Sequence, residues 1–354
     1  MSITLRSFAK INLGLKIGPL RADGFHELRT IYQTIALHDV VGVEIESGEG
    51  IEIRCADSRV PCNSRNTCWK IAEHVLKTIG IRRRVAITIE KQLPLQGGLG
   101  AASSDAVGTM LGLEHALGIS LSPQDKLRIA AEVGSDLPLF LIGGTVLGVD
   151  RGQEVYALQD FPEIPLVVVT PSIGVSTPKA FARWDALVEQ ANTEEAIGGA
   201  AYEIGQSALT VPNLAGTIKE FHQVVYAWWS KGFLSPSGMA KVPASGVPAE
   251  GGDRAETLLL DLVRAGIEND FERVVFPEYP ELREVKNVLQ REGALYASLS
   301  GSGSSLYGLF DSPHAAETAA MRMRAEGHAA MATRTVGRAE YWAATCVLCR
   351  SFGQ

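Results

Sequence analysis

The stretch from Pro94 to Ala106 constrains the fold of this chain more than any other, because three of its residues are closely spaced glycines. It reads Pro-Leu-Gln-Gly-Gly-Leu-Gly-Ala-Ala-Ser-Ser-Asp-Ala. The residues before it alternate apolar and polar side chains, with Val85, Ile87 and Ile89 on one face, which predicts a half-buried strand. The residues after it place apolar side chains at helical spacing up to Gly118, which should end the helix. The sequence therefore predicts a strand, a glycine-rich loop and a helix in succession.

A loop of this kind is a candidate anion site. Glycines let the backbone approach a ligand, and the first-turn N–H groups of the helix point towards it. The P-loop does not fit, because no Gly-Lys-Ser/Thr closes the stretch. The dinucleotide fingerprint fits poorly, because Ser103 stands where glycine or alanine is required and the preceding strand alternates. On this stretch alone, a glycine-rich turn before a well-capped helix stays open as an alternative.

Composition limits the class of protein. The chain has 354 residues, of which 46% are hydrophobic and 21% charged, enough for two domains with their own cores. A net charge of −7 argues against nucleic acid or an anionic membrane surface as a partner. No apolar run reaches membrane-spanning length, and Arg6, Lys10 and Lys16 interrupt any signal sequence. We expect a cytoplasmic protein that acts on a small molecule and binds neither nucleic acid nor membrane.

The cysteines do not suggest a disulfide framework. There are five, and an odd number fits reduced thiols better. The pair Cys346 and Cys349 has a suggestive spacing, but no second pair or histidine cluster lies near it in the sequence. We expect two incidental thiols there.

Two charged residues, Lys10 and Asp136, are ambiguous when considered alone. Residues 3–17 carry apolar side chains at most odd positions, which predicts a long strand with Lys10 and Asn12 on the face opposite the apolar one, roughly 7 Å apart. Such a lysine is usually a solvated charge on an edge strand. Asp136 follows a predicted helix that begins at Pro123 and ends at Gly134, and an aspartate there is usually a turn residue.

Four segments together resemble the GHMP kinases, a superfamily of small-molecule kinases. The glycine loop matches their Pro-x-x-x-Gly-Leu-Gly-x-x-Ser-Ser-x-Ala motif, and residues 134–145 resemble the segment that holds their catalytic aspartate. Residues 9–13 and 21–28 are similar to the N-terminal signature of one branch, whose members phosphorylate 4-diphosphocytidyl-2-C-methyl-D-erythritol in the non-mevalonate isoprenoid pathway. The resemblance covers nearly the whole chain except about residues 185–253.

The resemblance implies an α+β fold with two domains, a ribosomal-S5-like domain over residues 1–160 that binds ATP and a ferredoxin-like domain over residues 161–354 with an insertion near 185–253. It implies ATP and Mg²⁺ as cofactors, Lys10 and Asp136 as catalytic residues, and Ser104 as a metal contact, with the other metal ligands unknown. Substrate-binding residues would be Asn12, Phe25, His26, Thr177 and Phe181. Cofactor-binding residues would be Asn66, Lys91, Pro94, Gly97, Gly98, Leu99, Gly100, Ala101, Ala102, Ser103 and Ser104.

Further patterns predict the remaining elements. Residues 41–53 suggest a hairpin or a pair of strands, 69–79 a helix that Asn66 could simply cap, and 164–170 a continuous apolar strand. Residues 297–310 form a second glycine-serine loop between strands, which a tight hairpin would explain equally well. A helix is expected around 218–229, a mobile Pro/Gly-rich loop over 232–252, and a helix and a short strand after Pro313.

Two other functions compete with this prediction. A GHMP kinase for a different alcohol is the nearest, and the Gly24-Phe25-His26 segment argues against it. A non-catalytic sensor with the same fold is the other, and intact Lys10 and Asp136 argue against that. The sequence allows a monomer or a homodimer.

Overall fold

The computed structural model describes residues 2–95, 97–196 and 268–350, which form two β-sheets and the helices packed on them. The strands are β1 (Ser2–Leu20), β2 (His26–Glu46), β3 (Gly50–Cys55), β4 (Arg84–Glu90), β5 (Thr145–Val149), β6 (Glu154–Ala157), β7 (Pro165–Thr170), β8 (Tyr296–Leu299), β9 (Leu306–Leu309), β10 (Ala329–Arg334) and β11 (Cys346–Arg350). The helices are α1 (Thr67–Ile79), α2 (Ala101–Leu117), α3 (Pro123–Val133), α4 (Leu137–Phe140), α5 (Thr177–Ala196), α6 (Glu272–Glu278), α7 (Pro280–Arg291), α8 (Pro313–Ala325) and α9 (Arg338–Thr345).

The first sheet has seven strands and is built around the long antiparallel pair of β1 and β2. Its order is β11-β1-β2-β4-β3, with β5 on β2 and β6 on β5. Residues 41–53 do contain two strands, but the hairpin interpretation is wrong, because β4 lies between β2 and β3. β3 and β4 are parallel, and parallel neighbours need a crossover, which α1 provides.

Local signals place the ends of the helices on this sheet. Asn66 caps α1 by accepting a hydrogen bond from the Cys68 N–H, and Gly80 ends it in the left-handed conformation. α2 is buried over most of its length, and a Cβ atom at Gly112 would lie 2.6 Å from Cγ2 of Val43 on β2. The glycine allows α2 to pack directly on the sheet.

The second sheet has the order β10-β7-β9-β8. β7 is buried from Pro165 to Val169, as its continuous apolar run predicts. One apolar cluster joins the two sheets, since it contains Ile11 and Ile31 from the first and Leu166 and Val168 from the second. The predicted domain boundary at residue 160 falls between β6 and β7, and as a boundary it stays a prediction.

The C-terminal segment returns to the first sheet. After β10 the sequence predicted nothing further, but α9 follows and buries Tyr341 and Trp342, and β11 pairs antiparallel with the start of β1. The two cysteines of the Cys-x-x-Cys spacing lie in β11. Among the residues that the structure describes, no group of three or more His, Cys, Asp or Glu side chains could hold a metal ion.

Several predicted elements cannot be compared with the structure. The helix expected around 218–229, the loop over 232–252 and the insertion beyond residue 196 lie outside the described residues. Within the described ranges, no helix combines the length and apolar character needed to cross a membrane.

Candidate active site

The glycine loop connects β4 to α2 and holds three glycines in positive-φ conformations. The φ angles of Gly97, Gly98 and Gly100 are 150°, 78° and 70°. Gly100 is the N-cap of α2, and no side chain caps this helix in the described part of the chain. The first-turn amides therefore stay available to an anion, and the choice between an anion site and a simple glycine-rich turn stays a prediction.

The second glycine-serine loop, residues 300–305, packs directly on the first. It joins the antiparallel strands β8 and β9, so it is a hairpin connection as well as part of the site. Ser300 Oγ donates a hydrogen bond to the Gly98 carbonyl at 2.9 Å, and the Ser305 N–H donates to the Gly97 carbonyl at 3.1 Å. The two sheets therefore hold the glycine loop between them.

Lys10 lies beside this loop and is buried, with 2% of its surface exposed. The interpretation as a solvated charge on an edge strand is wrong, because the loop covers that face of β1 and the Lys10 N–H donates to the Leu99 carbonyl at 2.9 Å. Lys10 Nζ donates to Asn12 Oδ1 at 2.6 Å and lies 3.4 Å from Asp136 Oδ2. Asn12 Nδ2 in turn donates to Thr30 Oγ1 at 2.8 Å, which fixes the orientation of the amide.

Asp136 immediately precedes α4 and is partly open to the cavity. Tyr32, which the sequence analysis missed, donates its hydroxyl proton to Asp136 Oδ1 at 3.2 Å. Burial first, and then the charge of Asp136, raises the pKa of Tyr32 well above its usual value, so the phenol stays a donor. The register of the β1–β2 pair, which the sequence does not show, places Tyr32 opposite Asn12. One carboxylate oxygen faces Lys10 and the other Tyr32, which orients the group.

A cavity of about 1110 Å³ extends from this pair. Its lining includes most of the glycine loop, namely Pro94 and residues 97–103, together with Lys10, Asn12 and Asp136. The predicted substrate residues Phe25, His26, Thr177 and Phe181 line it as well. The structure thus brings the predicted catalytic and substrate-binding residues and most of the glycine loop to one cavity, whereas Asn66, Lys91 and Ser104 do not line it.

Aromatic rings dominate the end of this cavity at α5. The rings of His26 and Phe181 are stacked with centroids 4.9 Å apart and an interplanar angle of 9°. His26 Nε2 lies 2.7 Å from Asp185 Oδ1, a partner that the sequence did not indicate. Phe25 is 52% exposed, so one ring face is free for a planar ligand. Thr177 Oγ1 shares a hydrogen bond with Ser302 Oγ at 2.7 Å.

A second cavity, of about 640 Å³, shares Pro94 and Ala102 with the first and is also lined by Asn66 and Lys91. The cap interpretation of Asn66 is confirmed, because its Oδ1 accepts from Cys68 and its Nδ2 donates to the Pro61 carbonyl at 2.8 Å. A nucleotide contact by Asn66 stays a prediction.

Lys91 belongs to a buried charge network that the sequence did not indicate. Its Nζ donates to Asp39 Oδ2 and, at 3.0 Å, to Asp105 Oδ2. Asp39 also accepts the backbone N–H of Leu93 at 2.7 Å, and Ser7 Oγ donates to Asp105. Two carboxylates therefore compensate the ammonium, which can offer a nucleotide a hydrogen bond but no unmatched positive charge.

This network should make the stability of the protein depend on pH. Burial, together with the charge of Asp39, raises the pKa of Asp105 to about 6 against the opposing effect of Lys91. A raised pKa means that the folded protein binds this proton more tightly than the unfolded chain does. The stability from Asp105 is therefore fully present below about pH 4 and is lost as the pH rises through about 6.

We expect Asp105→Asn to remove this dependence, because asparagine does not titrate. Relative to the variant, the wild type should lose roughly 1–3 kcal/mol of unfolding free energy between pH 4 and 7 in urea titrations. Asp125→Asn is the matched control, because Asp125 is exposed on α3 and hydrogen bonds from Ser122 and Arg128 lower the pKa of its carboxyl. A difference between wild type and Asp105→Asn that stays constant with pH would contradict the prediction.

Ser104 is the residue that best fits a metal contact. Its Oγ, in the first turn of α2, is buried and has no hydrogen-bond partner in the part of the chain that is described. Mg²⁺ prefers oxygen ligands and usually takes most of them from phosphates and water, with one or two from the protein. Among the described residues two buried hydroxyls at the glycine loop have no hydrogen-bond partner, Ser104 Oγ and Ser305 Oγ, and the one in the first turn of α2 is compatible with that pattern.

Comparison with known proteins agrees with this arrangement. The family model for the N-terminal domain of GHMP kinases matches residues 66–144, and the model for their C-terminal domain matches residues 255–329. The first match contains α1, the glycine loop and Asp136, and the second contains the loop at 300–305. The predicted two-domain α+β GHMP kinase fold is confirmed.

Comparison with individual relatives identifies one branch of this superfamily. The chain is 32% identical to a 4-diphosphocytidyl-2-C-methyl-D-erythritol kinase of Acaryochloris marina over 91% of each chain. It is 31% identical to the corresponding enzyme of Moorella thermoacetica, over 94% of this chain and 99% of that one. A crystal structure of 4-(cytidine 5'-diphospho)-2C-methyl-D-erythritol kinase superposes with a TM-score of 0.65 at 25% identity, covering 95% of this chain and 100% of that one. The chain belongs to the 4-diphosphocytidyl-2-C-methyl-D-erythritol kinase family of the GHMP kinases.

Proposed function

We propose that this protein transfers the γ-phosphoryl group of ATP to the 2-hydroxyl of 4-diphosphocytidyl-2-C-methyl-D-erythritol, in the non-mevalonate route to isoprenoid precursors. One observation carries the proposal above the others. The buried ammonium of Lys10 lies 3.4 Å from the Asp136 carboxylate, and both line the same cavity as the glycine loop and the aromatic cluster. That cavity can hold a phosphate at one end and a nucleobase at the other.

The residues around the phosphate would act by positioning and charge stabilisation. Phosphoryl transfer requires charge neutralisation on the transferred group and an in-line hydroxyl. The loop amides would bind the phosphate oxygens, and Lys10 would stabilise the charge that develops on them. Asp136, oriented by Tyr32 and Lys10, would accept the proton of the attacking hydroxyl or align it.

ATP and Mg²⁺ are the cofactors in this proposal. Ser104 would hold the ion together with phosphate oxygens, and the bound ion would supply further neutralisation of phosphate charge. The nucleotide base would occupy the 640 Å³ cavity beside Asn66 and Lys91.

The opposite end of the larger cavity suits a cytosine ring. Phe25 exposes a ring face for stacking, and His26 carries a ring nitrogen that can bond the polar edge of the base. Thr177 and Phe181 would complete this end. Phe25 carries no hydroxyl, so only stacking is expected from this ring.

The experiment is ATP consumption by the purified protein with magnesium, comparing 4-diphosphocytidyl-2-C-methyl-D-erythritol with mevalonate, homoserine and galactose. We expect turnover of the cytidyl substrate alone. Turnover of a different alcohol would support a kinase activity and contradict the proposed substrate. Tight ATP binding without turnover of any alcohol would instead favour a nucleotide sensor.

Other properties stay predictions from the sequence. We propose action in the cytoplasm, no nucleic-acid or membrane partner, and a monomer or homodimer. The net charge of −7 argues against nucleic acid and an anionic membrane surface as partners, and the relative from Acaryochloris marina is named for a small-molecule substrate.

A further inference from the structure

Arg151 is the cation of the larger cavity that has no carboxylate partner. The lining contains two permanently charged basic side chains, Lys10 and Arg151. Lys10 pairs with Asp136, whereas Arg151 makes no ion pair with any residue that the structure describes. Its Nε is buried and has no hydrogen-bond partner in the same residues. A guanidinium that lines a cavity without an ion-pair partner is available to an anion that enters it.

The carboxylates nearest in the sequence are already engaged. Asp150 pairs with Arg21 and accepts from the side chain of Gln153. Asp23 binds Arg21 and accepts the Phe25 N–H at 3.1 Å. The charge of Arg151 is the smallest of the contributions that lower the pKa of Asp23, so most of it is left for an anion that enters the cavity.

The turn that carries Arg151 lies between the two ends of the cavity. Next to it, Gly152 adopts a φ of 97°, and a Cβ atom there would lie 2.6 Å from the Tyr32 hydroxyl. Tyr32 donates to Asp136, so this side of the turn contacts the catalytic end. On the other side, the Arg151 guanidinium lies 4.8 Å from the ring centroid of Phe25 at the base-binding end.

We propose that Arg151 binds the diphosphate group of the substrate. This inference rests on the proposed function, since in that substrate the diphosphate joins the cytidine at one end to the phosphoryl acceptor at the other. A guanidinium presents paired N–H donors that match phosphate oxygens. Phe25 holds the guanidinium by a cation–π contact on one side and leaves the exposed part of its ring to the base.

The same geometry separates this role from binding of ATP. Arg151 does not line the 640 Å³ cavity beside Asn66 and Lys91. Its substitution should therefore affect the cytidyl substrate and leave the nucleotide unaffected.

Steady-state kinetics test the proposal. Loss of a charge-assisted hydrogen-bonding pair should raise the KM of Arg151→Gln for 4-diphosphocytidyl-2-C-methyl-D-erythritol by about 10- to 100-fold. The KM for ATP should stay unchanged, and kcat should stay within about threefold, because the lost contact is made equally before and during reaction. The KM of Arg151→Lys for the cytidyl substrate should lie between those of the wild type and Arg151→Gln, since lysine keeps the charge and lacks the paired N–H donors of the guanidinium. Arg183→Gln is the matched control, because Arg183 on α5 pairs with Glu278 and does not line the cavity.

A binding measurement separates a direct contact from a structural effect. The cytidyl substrate and free cytidine are titrated into protein saturated with a non-hydrolysable ATP analogue. We expect Arg151→Gln to weaken binding of the substrate and not of cytidine, which lacks the diphosphate. Equal weakening of both would show a structural role, and unchanged binding would show no contact; either result overturns the inference. Wild-type protein that neither binds nor phosphorylates the cytidyl substrate overturns the proposed function itself, and the inference with it.

Discussion

Replacement of Asp136 by asparagine is expected to lower kcat for the cytidyl substrate by about 10²- to 10⁴-fold, the usual contribution of a positioned acid–base group. Asparagine keeps the size of the side chain and can still accept the Tyr32 hydroxyl, so the local fold should survive. It cannot take a proton from the attacking hydroxyl. Lys10 would also lose the charge 3.4 Å from its Nζ.

The measurement is single-turnover and steady-state phosphorylation at saturating ATP, with the unfolding free energy determined in parallel. Asp125→Asn on α3 is again the control, because it removes an exposed carboxylate outside the lining of the cavity. A variant at Asp136 that is folded and keeps kcat within about threefold of the wild type, well short of the expected acid–base effect, would exclude Asp136 from the chemistry.

Gly98→Ala is the substitution with the largest expected structural effect. A Cβ atom at this position would lie 1.9 Å from the carbonyl oxygen of Ser300, and Gly98 has a φ of 78°. Because the neighbour is backbone on the opposing loop, the two loops must separate. We expect loss of the hydrogen bond from Ser300 Oγ to Gly98, a rise of more than about 100-fold in the KM for ATP, and a loss of several kcal/mol, roughly 2–5, of stability.

Gly118→Ala isolates the conformational part of this effect. Gly118 ends α2 with a φ of 64°, and a Cβ atom there would meet nothing within 4 Å. Its replacement should therefore cost only the left-handed strain, about 1 kcal/mol, with activity retained. The measurements are the free energy of unfolding in denaturant and the KM for ATP, determined for both variants. If Gly98→Ala behaves like Gly118→Ala, the close contact between the two loops is not a requirement of the site.

The sequence indicated most of the local structure correctly, because short-range physics encodes it. The alternation before the glycine loop is β4, the apolar spacing after it is α2, and Gly118 ends that helix. Asn66 caps α1 as its residue type suggests. The order of strands could not be obtained this way, since alternation shows which face of a strand is buried and not which strand lies beside it. Of the hairpin or pair of strands expected over residues 41–53, the pair is observed and the hairpin is not, for that reason.

The status of Lys10 shows the same limit at the site. Strand periodicity placed it on the polar face of β1, where a lysine is normally solvated. The side chain is buried because the glycine loop lies over that face of β1, although it comes some 90 residues later in the chain. The Leu99 carbonyl of the loop accepts a hydrogen bond from the Lys10 backbone N–H. Resemblance to a known family indicated a catalytic lysine, whereas the periodicity alone would have left it in solvent.

By itself, then, the sequence determined β4, β7, the helices α1 to α3 with their ends, the glycine loop and, through resemblance, the family. Only the tertiary structure decided the partners that give these residues their properties, such as Tyr32 with Asp136, Lys91 with Asp39 and Asp105, and Gly98 with Ser300. Arg151 beside Phe25 belongs to the same group. The physical reason is that backbone conformation depends on neighbours in the chain, whereas burial, pairing and charge compensation depend on neighbours in space.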